Sequence, residues 1–465
     1  MDVRVKFLGA AGTVTGSRFL LSIGHFQILF DCGLFQGLKE LRLKNWDPFP
    51  IEPATINAVI ISHAHIDHTG YLPRFVKQGF NGAIYCTRPT GDLMELMLLD
   101  AAKLQEEEAT FANERGYSKH TPAQPLYTTE DAEAVFSLVQ YFDFDETVTL
   151  NENIKFVFRE AGHLLGAAIT ELWVSGDHQQ KKIVFSGDLG RSSDVMLRPP
   201  TPIDEADILF IESTYGNKDN PALDPAFTLE RIVKETIARD GVLLIPAFAV
   251  GRTQVLLYYL HELMENGRIP NLPVYIDSPM AISATYLYYR YPQYHKVKFN
   301  QSEFARKLET NLLQFVKKSV DSKALNALQE RAIIISSSGM MTGGRILHHL
   351  YHRLPRSQDT VLISGFQADG TRGRKLVQGD TAIRIFGEDV PVCCHVENVS
   401  TFSSHADRGE LFAWMKTFKS APKIVFTIHG EGSALEQYAQ NIKEELGWNT
   451  IVPKYLESFD LFIGI

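Results

Sequence analysis

The chain of 465 residues is 45% apolar and 11% aromatic, enough to bury a large core and to fill two or three domains. Four cysteines (Cys32, Cys86, Cys393, Cys394) form no CxxC pair, and 46 basic against 55 acidic residues give a formal charge of -9. A disulfide framework, a cysteine zinc ribbon and a non-specific nucleic-acid coat are thereby excluded. No apolar stretch follows the start MDVRVKFLGAAG, and no run reaches the roughly 18 apolar residues of a membrane span, so the expectation is a soluble, cytoplasmic protein without membrane contact.

Short apolar runs open the chain at 3–9 (VRVKFLG), 17–23 (SRFLLSI), 26–33 (FQILFDCG), 58–65 (AVIISHAH) and 83–87 (AIYCT). Each is closed by Gly, polar or turn residues, which predicts successive strands. Helical patterns are predicted over 91–115 and 130–140, the acidic run of the first being a solvated face. Strands return at 154–163, 167–176, 182–190 and 206–216, each ending on a polar residue or Gly. From about residue 216 the pattern becomes helix alternating with buried-type strand: GVLLIPAFAVG, PVYIDSPM, AIIISSSGMM and TVLISGF predict a parallel-sheet domain of its own. Near residue 391 a strand, PVCCHVENVSTFSSHAD, is expected to return to the first pattern, followed by a helix and the strand KIVFTIHGE. There is no internal repeat and no low-complexity linker.

The most specific segment is His63-Ala64-His65-Ile66-Asp67-His68, directly after the apolar run AVIIS. A chain turning from strand to helix can aim His63 and His65 at one metal while Asp67 and His68 swing to a second. Imidazole and carboxylate without thiolate favour zinc with an open position for water. Downstream, His163 in GHLLG and Asp188 in SGDLG stand at strand ends. Either alone reads as a structural group; joined to the first cluster they complete a set of the size two metals require.

With Asp31 in FDCG, these motifs resemble, in order, those of the metallo-β-lactamase superfamily. The resemblance implies that His63, His65 and His163 hold one zinc ion, that Asp67 and His68 hold the other, and that Asp188 bridges both. It implies for Asp31 the orientation of a liganding imidazole. Superfamily membership leaves the reaction open, because the same site serves lactams, thioesters and phosphodiesters.

The second half carries Ile211-Glu212-Ser213-Thr214-Tyr215-Gly216, Phe402-Ser403-Ser404-His405-Ala406-Asp407 and Ile428-His429-Gly430, which resemble the additional motifs of the β-CASP nucleases. By that resemblance His429 completes the second zinc, and Glu212 and His405 form a carboxylate–imidazole pair near the leaving oxygen. The chemistry agrees: a phosphodiester leaving oxygen departs as an alkoxide unless protonated, and a carboxylate-held His stays protonated near neutral pH. Catalysis is thus expected from Asp67, Glu212 and His405.

Ser336-Ser337-Ser338-Gly339-Met340-Met341-Thr342-Gly343-Gly344-Arg345 offers small residues, backbone N–H groups and a cation suited to a phosphate; alone it reads as a tight turn, and it contains no Walker loop. In β-CASP relatives a similar stretch, and one similar to Phe248-Ala249-Val250-Gly251-Arg252, faces the RNA. The resemblance therefore implies substrate contacts from Ser336, Ser337, Gly339, Arg252, Arg345 and Ser404. Gly9, Gly12 and Gly16 do not form the GxGxxG of a dinucleotide loop.

The expected architecture is α/β: an αββα metallo-β-lactamase sandwich over 1–215 and 391–465, interrupted by a β-CASP α/β domain over 216–390, with the active site in the cleft between them. The expected activity is hydrolysis of single-stranded RNA with two Zn2+ ions. Endonuclease and 5′-to-3′ exonuclease remain open, as do recruitment by separate partners and self-association as a homodimer. The rivals are a small-molecule thioester or lactam hydrolase, which leaves the insert and His405 unexplained, and a non-catalytic scaffold, which would have lost metal ligands.

Overall fold

In β1 (Val3–Phe7) the side chains of Val3, Val5 and Phe7 are buried while Arg4 between them is exposed, the two-residue period of a strand with one face in a core. The computed structural model describes residues 2–115, 121–176, 179–220, 224–297, 312–365, 367–368, 370–399 and 401–462. Phe366 and Ser400, which fall in two of the predicted strand runs, lie outside the described residues.

The chain divides into two compact units, 1–219 with 405–465, and 220–404. In the first, β1 is followed by β2 (Phe19–Ile23), β3 (Phe26–Phe30), β4 (Ala58–Ile60), β5 (Ala83–Thr87) and β6 (Val139–Phe142). With β22 (Ser458–Asp460) they form a seven-stranded sheet in the order β22-β1-β2-β3-β4-β5-β6, parallel from β3 onward. A second seven-stranded sheet contains β7 (Thr147–Asn151), β8 (Ile154–Glu160), β9 (Ala168–Gly176), β10 (Gln179–Phe185), β11 (Ile208–Glu212), β20 (Ile424–Ile428) and β21 (Thr450–Ile451), in the order β21-β20-β11-β10-β9-β8-β7. Its β10, β11, β20 and β21 run parallel.

One continuous core joins the sheets. Phe30 stacks on Phe185 at 4.3 Å, Phe185 on Phe210 at 4.5 Å, and Phe210 on Phe426 at 5.0 Å, so aromatic rings from both inner faces interdigitate. Helix Arg88–Arg115 packs on β5 and β6, and helix Gly432–Leu446 packs on β20 and β21, which gives the αββα sandwich. The helix expected over 130–140 runs only Thr129–Val135. A capping box between Thr128 and Asp131 starts it, and after a 3-10 turn at Phe136–Leu138 the chain pairs with β5 as β6. The β-branched and aromatic residues Val139, Tyr141 and Phe142 gain more from that sheet edge than from another helical turn.

In the second unit, β12 (Val242–Pro246), β13 (Val274–Asp277), β14 (Leu313–Phe315), β15 (Ala332–Ser336), β16 (Thr360–Ile363) and β19 (His395–Asn398) make an all-parallel sheet in the order β14-β13-β15-β12-β16-β19. β12, β15 and β16 are buried throughout, as strands covered on both faces must be. A hairpin of β17 (Ala382–Ile385) and β18 (Glu388–Pro391) adds a small antiparallel sheet. The segment after 391, expected to rejoin the first unit, instead pairs as β19 with β16, and the chain re-enters the first unit at His405. No residue of His395–Asn398 is buried, which suits that edge position.

Candidate metal centre

Every expected metal ligand lies in the first unit, at or just beyond a strand end. The buried strand β4 runs through Ile61 and Ser62 into the turn at His63–His65, and the short helix Ile66–Thr69 follows. Backbone groups clamp this turn: Ser17 N donates to Asp67 O at 2.8 Å, Cys32 N to His68 O at 2.7 Å and Leu34 N to Ile66 O at 3.0 Å. The approach is so close that a Cβ on Gly33 would lie 1.6 Å from Asp67 O. His163 follows β8, Asp188 follows β10, and Glu212 closes β11 beside Ile428 of β20, after which comes His429. His405 is carried to the same place by a bridge between its backbone and Gly190, reinforced by Ala406 N donating to Leu189 O at 2.8 Å.

Three overlapping groups result among the described residues. His63, His65, His163 and Asp188 offer one ligand atom each within 4.8 Å of one another, and so do Asp67, His68 and His429, and Asp188, Glu212 and His429; the first two are the clusters followed below, joined through Asp188. In the first, His65 Nδ1 lies 3.0 Å from His63 Nε2 and 3.3 Å from His163 Nε2, while Asp188 Oδ2 is 3.6 Å from the former and 3.8 Å from the latter. In the second, His68 Nε2 is 3.1 Å from His429 Nε2 and 3.7 Å from Asp67 Oδ2. Asp188 Oδ2 reaches this cluster too, at 3.5 Å from His68 Nε2.

These spacings can be compared with zinc geometry. Ligand atoms about 2.0–2.1 Å from a tetrahedral zinc stand about 3.3–3.4 Å apart, which the first cluster brackets. The buried Asp188 Oδ1 has no hydrogen-bond partner, a costly state for a carboxylate oxygen unless a cation faces it. The donor set is imidazole and carboxylate alone, and it fits a zinc-type ion.

The surroundings prepare the ligands. Asp31 Oδ2 takes the Nδ1 proton of His68 at 2.7 Å, and it also accepts from Ser62 Oγ at 3.0 Å and Ser17 Oγ at 3.2 Å. That pins the ring with Nε2 toward the cluster. Ser62 Oγ also meets His63 Nδ1 at 3.1 Å, and Thr214 Oγ1 meets His429 Nδ1 at 3.0 Å. Nothing in the sequence assigns a role to Ser17, Ser62 or Thr214; the one signal is that Ser62 directly precedes His63 and Thr214 lies within the motif that carries Glu212.

Burial, and then the neighbouring histidines, hold His63 and His163 well below the ordinary imidazole range, and burial takes His65 down to about 4. These three are neutral near pH 7, as ligands must be. For His68 burial acts downward, but Asp188, Asp31 and Asp67 outweigh it and hold the ring well above its usual value, so an incoming dication displaces that proton. Asp188 is pushed up by burial and pulled further down by His429 and His68, ending well below the carboxylate range.

Glu212 is fully buried; its carboxylate accepts from Leu189 N at 2.7 Å and Thr214 N at 3.2 Å and faces His405 Nδ1 at 3.4 Å. Burial lowers His405, yet Glu212, Asp188 and Asp67 more than offset it and leave the imidazole above its ordinary value. Its ring centroid stands 4.3 Å from that of His163.

The residues expected to touch substrate from the second unit are placed within that unit. Ser336 is buried and donates to Asp277 O at 3.0 Å, and Arg345 spends its guanidinium on Asp277 Oδ1 at 2.6 Å, Val316 O at 2.8 Å and Lys317 O at 2.7 Å. Arg252 is buried and donates to Ser364 O. Gly339 is buried with its carbonyl accepting from Gln367, the Ser337 hydroxyl is buried without a hydrogen-bond partner, and Ser404 directly precedes His405. For Ser336 and Arg345 the contacts are those of side chains that brace the loop, a role that the loop's composition does not reveal.

Adjoining His/Asp clusters at the strand ends of an αββα sandwich, with a carboxylate–imidazole pair beside them, define a metallohydrolase of the metallo-β-lactamase class. The comparisons agree: a metallo-beta-lactamase superfamily domain matches residues 20–207, a Beta-Casp domain 253–376 and a Zn-dependent metallo-hydrolase RNA specificity domain 389–453. The chain is 35% identical to ribonuclease TTHA0252 of Thermus thermophilus over 93% of its length and 94% of the relative. It is 32% identical to an RNase J-like protein of Methanocaldococcus jannaschii (97% of this chain, 98% of the relative) and 32% identical to the transcription termination factor FttA of the same organism (98% and 71%). A protein of unknown function from Enterococcus faecalis V583 shares the fold, with a TM-score of 0.56 at 13% identity over 99% of this chain and 100% of that one. The chain belongs to the β-CASP family of the metallo-β-lactamase superfamily.

Proposed function

We propose that the chain is a zinc-dependent ribonuclease that hydrolyses phosphodiester bonds of single-stranded RNA in the cytoplasm. The names of its relatives support a ribonuclease. The observation that carries the phosphodiester reading over a thioester or lactam one is the Glu212–His405 pair, at 3.4 Å, beside the clustered ligands. His63, His65, His163 and Asp188 would hold one ion, and Asp67, His68 and His429 the other, with Asp188 shared. Zinc bound there supplies a Lewis acid and a water whose pKa falls to about 7.

The chain's own groups do the rest. Asp31 and Thr214 hold the rings of His68 and His429 by their Nδ1 atoms. Glu212, fixed by two backbone N–H groups, holds His405 at Nδ1 and keeps it protonated. The imidazolium then gives its proton to the departing oxygen, which would otherwise leave as an alkoxide. Internal cleavage and 5′-to-3′ trimming use the same step.

The test is His405→Ala. It should keep its zinc and lose RNA hydrolysis by roughly 100-fold or more, the scale of a lost general acid. Its loss on bis(p-nitrophenyl) phosphate should be far smaller, because p-nitrophenolate leaves without a proton. Equal losses on both substrates assign His405 to structure or binding, loss of zinc makes it a ligand, and a wild-type protein that cleaves thioesters but never RNA overturns the reading.

A further inference from the structure

An acidic chain that acts on RNA must concentrate its positive charge, and one such place lies on the first unit away from the clustered ligands. Residues 34–46 leave the metal-binding turn, where Leu34 N donates to Ile66 O at 3.0 Å, and close on themselves through a buried side chain. Asn45 Oδ1 accepts from Phe35 N at 3.0 Å, and Asn45 Nδ2 donates to Phe35 O at 2.7 Å. Arg18 braces the pair from beneath: it is buried, donates to Asn45 Oδ1 at 3.2 Å and to Gly33 O at 2.7 Å, and stands 4.0 Å over the Tyr71 ring.

The loop is therefore held from inside, with Phe35 buried, while Leu43 and Trp46 point outward. Leu43 is 54% exposed and Trp46 48%, and Tyr455, from the loop before β22, is 37% exposed. Each exposed ring has a cation of the chain against it, Lys44 at 4.2 Å from the Tyr455 centroid and Arg74 at 5.5 Å from Trp46. Lys39, Arg42 and Lys454 on the same two loops are exposed, so with Lys44 four cations stand against the three carboxylates Glu40, Asp47 and Glu457, the reverse of the balance in the whole chain.

We propose that Trp46 and Tyr455 form a stacking platform for bases of single-stranded RNA, with Lys44 placed for an adjoining phosphate and Arg74 holding Trp46 in place through its carbonyl at 3.2 Å. Exposed rings interleaved with cations are the chemistry that binds single strands without reading sequence, since every base has a face and every link a charge. The anchored loop starts at the metal-binding turn, in the unit that carries the clustered His and Asp. The choice of RNA as ligand rests on the ribonuclease reading.

The experiment uses the zinc-loaded full chain and fluorescence anisotropy, with phosphorothioate linkages so that the strand stays intact. The probes are single-stranded oligoadenylates of about 16 and about 4 nucleotides, the span of one such binding site. The double variant Trp46→Ala, Tyr455→Ala should bind the longer strand roughly tenfold or more weakly, the scale of lost base stacking, and should bind the shorter one as before. Its holoenzyme should hydrolyse bis(p-nitrophenyl) phosphate at the wild-type rate, and Trp46→Phe, Tyr455→Phe should restore binding.

Unchanged binding of the longer strand overturns the platform, as does equal loss on both strands or failure of the phenylalanine variant to restore binding. Sedimentation showing that the alanine variant dissolves a dimer while RNA affinity stays unchanged would make this face an interface between copies instead. The two readings separate cleanly. A holoenzyme that cleaves RNA without ring-dependent binding sinks the platform alone, and ring-dependent binding by a holoenzyme that never cleaves RNA sinks the ribonuclease reading alone.

Discussion

Asp31 acts on the metal centre from behind, through the Nδ1 proton of His68 that it holds at 2.7 Å. Replacing it by Asn removes the charge and keeps the shape. Asp31→Asn is therefore expected to weaken zinc affinity by roughly 10–100-fold while leaving the fold, as seen when a liganding histidine loses its carboxylate. Competition with a chromophoric chelator measures this, and wild-type affinity in the variant would remove Asp31 from the assembly of the site. Glu212 acts in the same indirect way on His405, and here the sign can be worked out. Burial pulls the imidazole down and Glu212 leads the groups that raise it, so its proton is kept to higher pH than in free histidine. If the protonated ring is the acid, the rate falls as pH rises through that raised value, and Glu212→Gln must move the alkaline limb of kcat/KM on RNA to lower pH. A limb that stays in place in the variant shows that another group titrates there.

The strand-to-helix turn at His63–Thr69 is built by its neighbours as much as by its own residues. Gly33 lies against it so closely that a methyl group would fall 1.6 Å from Asp67 O and 2.7 Å from His68 N, both backbone atoms. Neither can yield without moving the ligands beside them. Gly33→Ala should cost about 1–3 kcal/mol, the range of overpacking in a tight interior, and should lower the zinc content of the purified protein. Thermal unfolding together with elemental analysis tests both parts, and a Gly33→Ala protein with full zinc and an unshifted transition would show that the turn is softer than its contacts. In the second unit, the loop after β15 is braced in a comparable way: Arg345 and His349 both bond to the buried Asp277 carboxylate, His349 Nε2 at 2.7 Å. Arg345, the cation expected to meet a phosphate, thus also bonds to the polar network around the buried Asp277.

At the scale of the whole molecule, one hydrophobic core among the described residues joins the sheets of the sandwich and another lies inside the parallel-sheet unit. Among the described residues, all the clustered His, Asp and Glu belong to the first unit. Removing metal leaves buried carboxylates and imidazoles without their cation, and an ion that binds only the folded state stabilises only the unit that holds it. Chelator should therefore abolish hydrolysis, added zinc should restore it, and calorimetry should show a lowered transition for the sandwich beside an unshifted one for the other unit. A single transition that moves as a whole would mean that the units unfold together.

The sequence by itself determined the sandwich strands through their apolar runs, the parallel sheet through strands apolar on both faces, and the segments that carry the clustered His and Asp. Those signals are local: a two-residue period, a strand-end His or Asp, and HxHxDH fit within one turn of chain. Only the tertiary structure decided how they combine. His68 and His429 meet at 3.1 Å although 361 residues separate them, and no spacing along the chain encodes that distance. It also turned Val139–Phe142 from helix into an edge strand, drew the segment after 391 into the second sheet, and spent Ser336 and Arg345 on a neighbouring carboxylate and carbonyls. The reason is common to all three: an edge to pair with or a buried acceptor to satisfy exists only once distant segments are packed, and its energy then outweighs local preference.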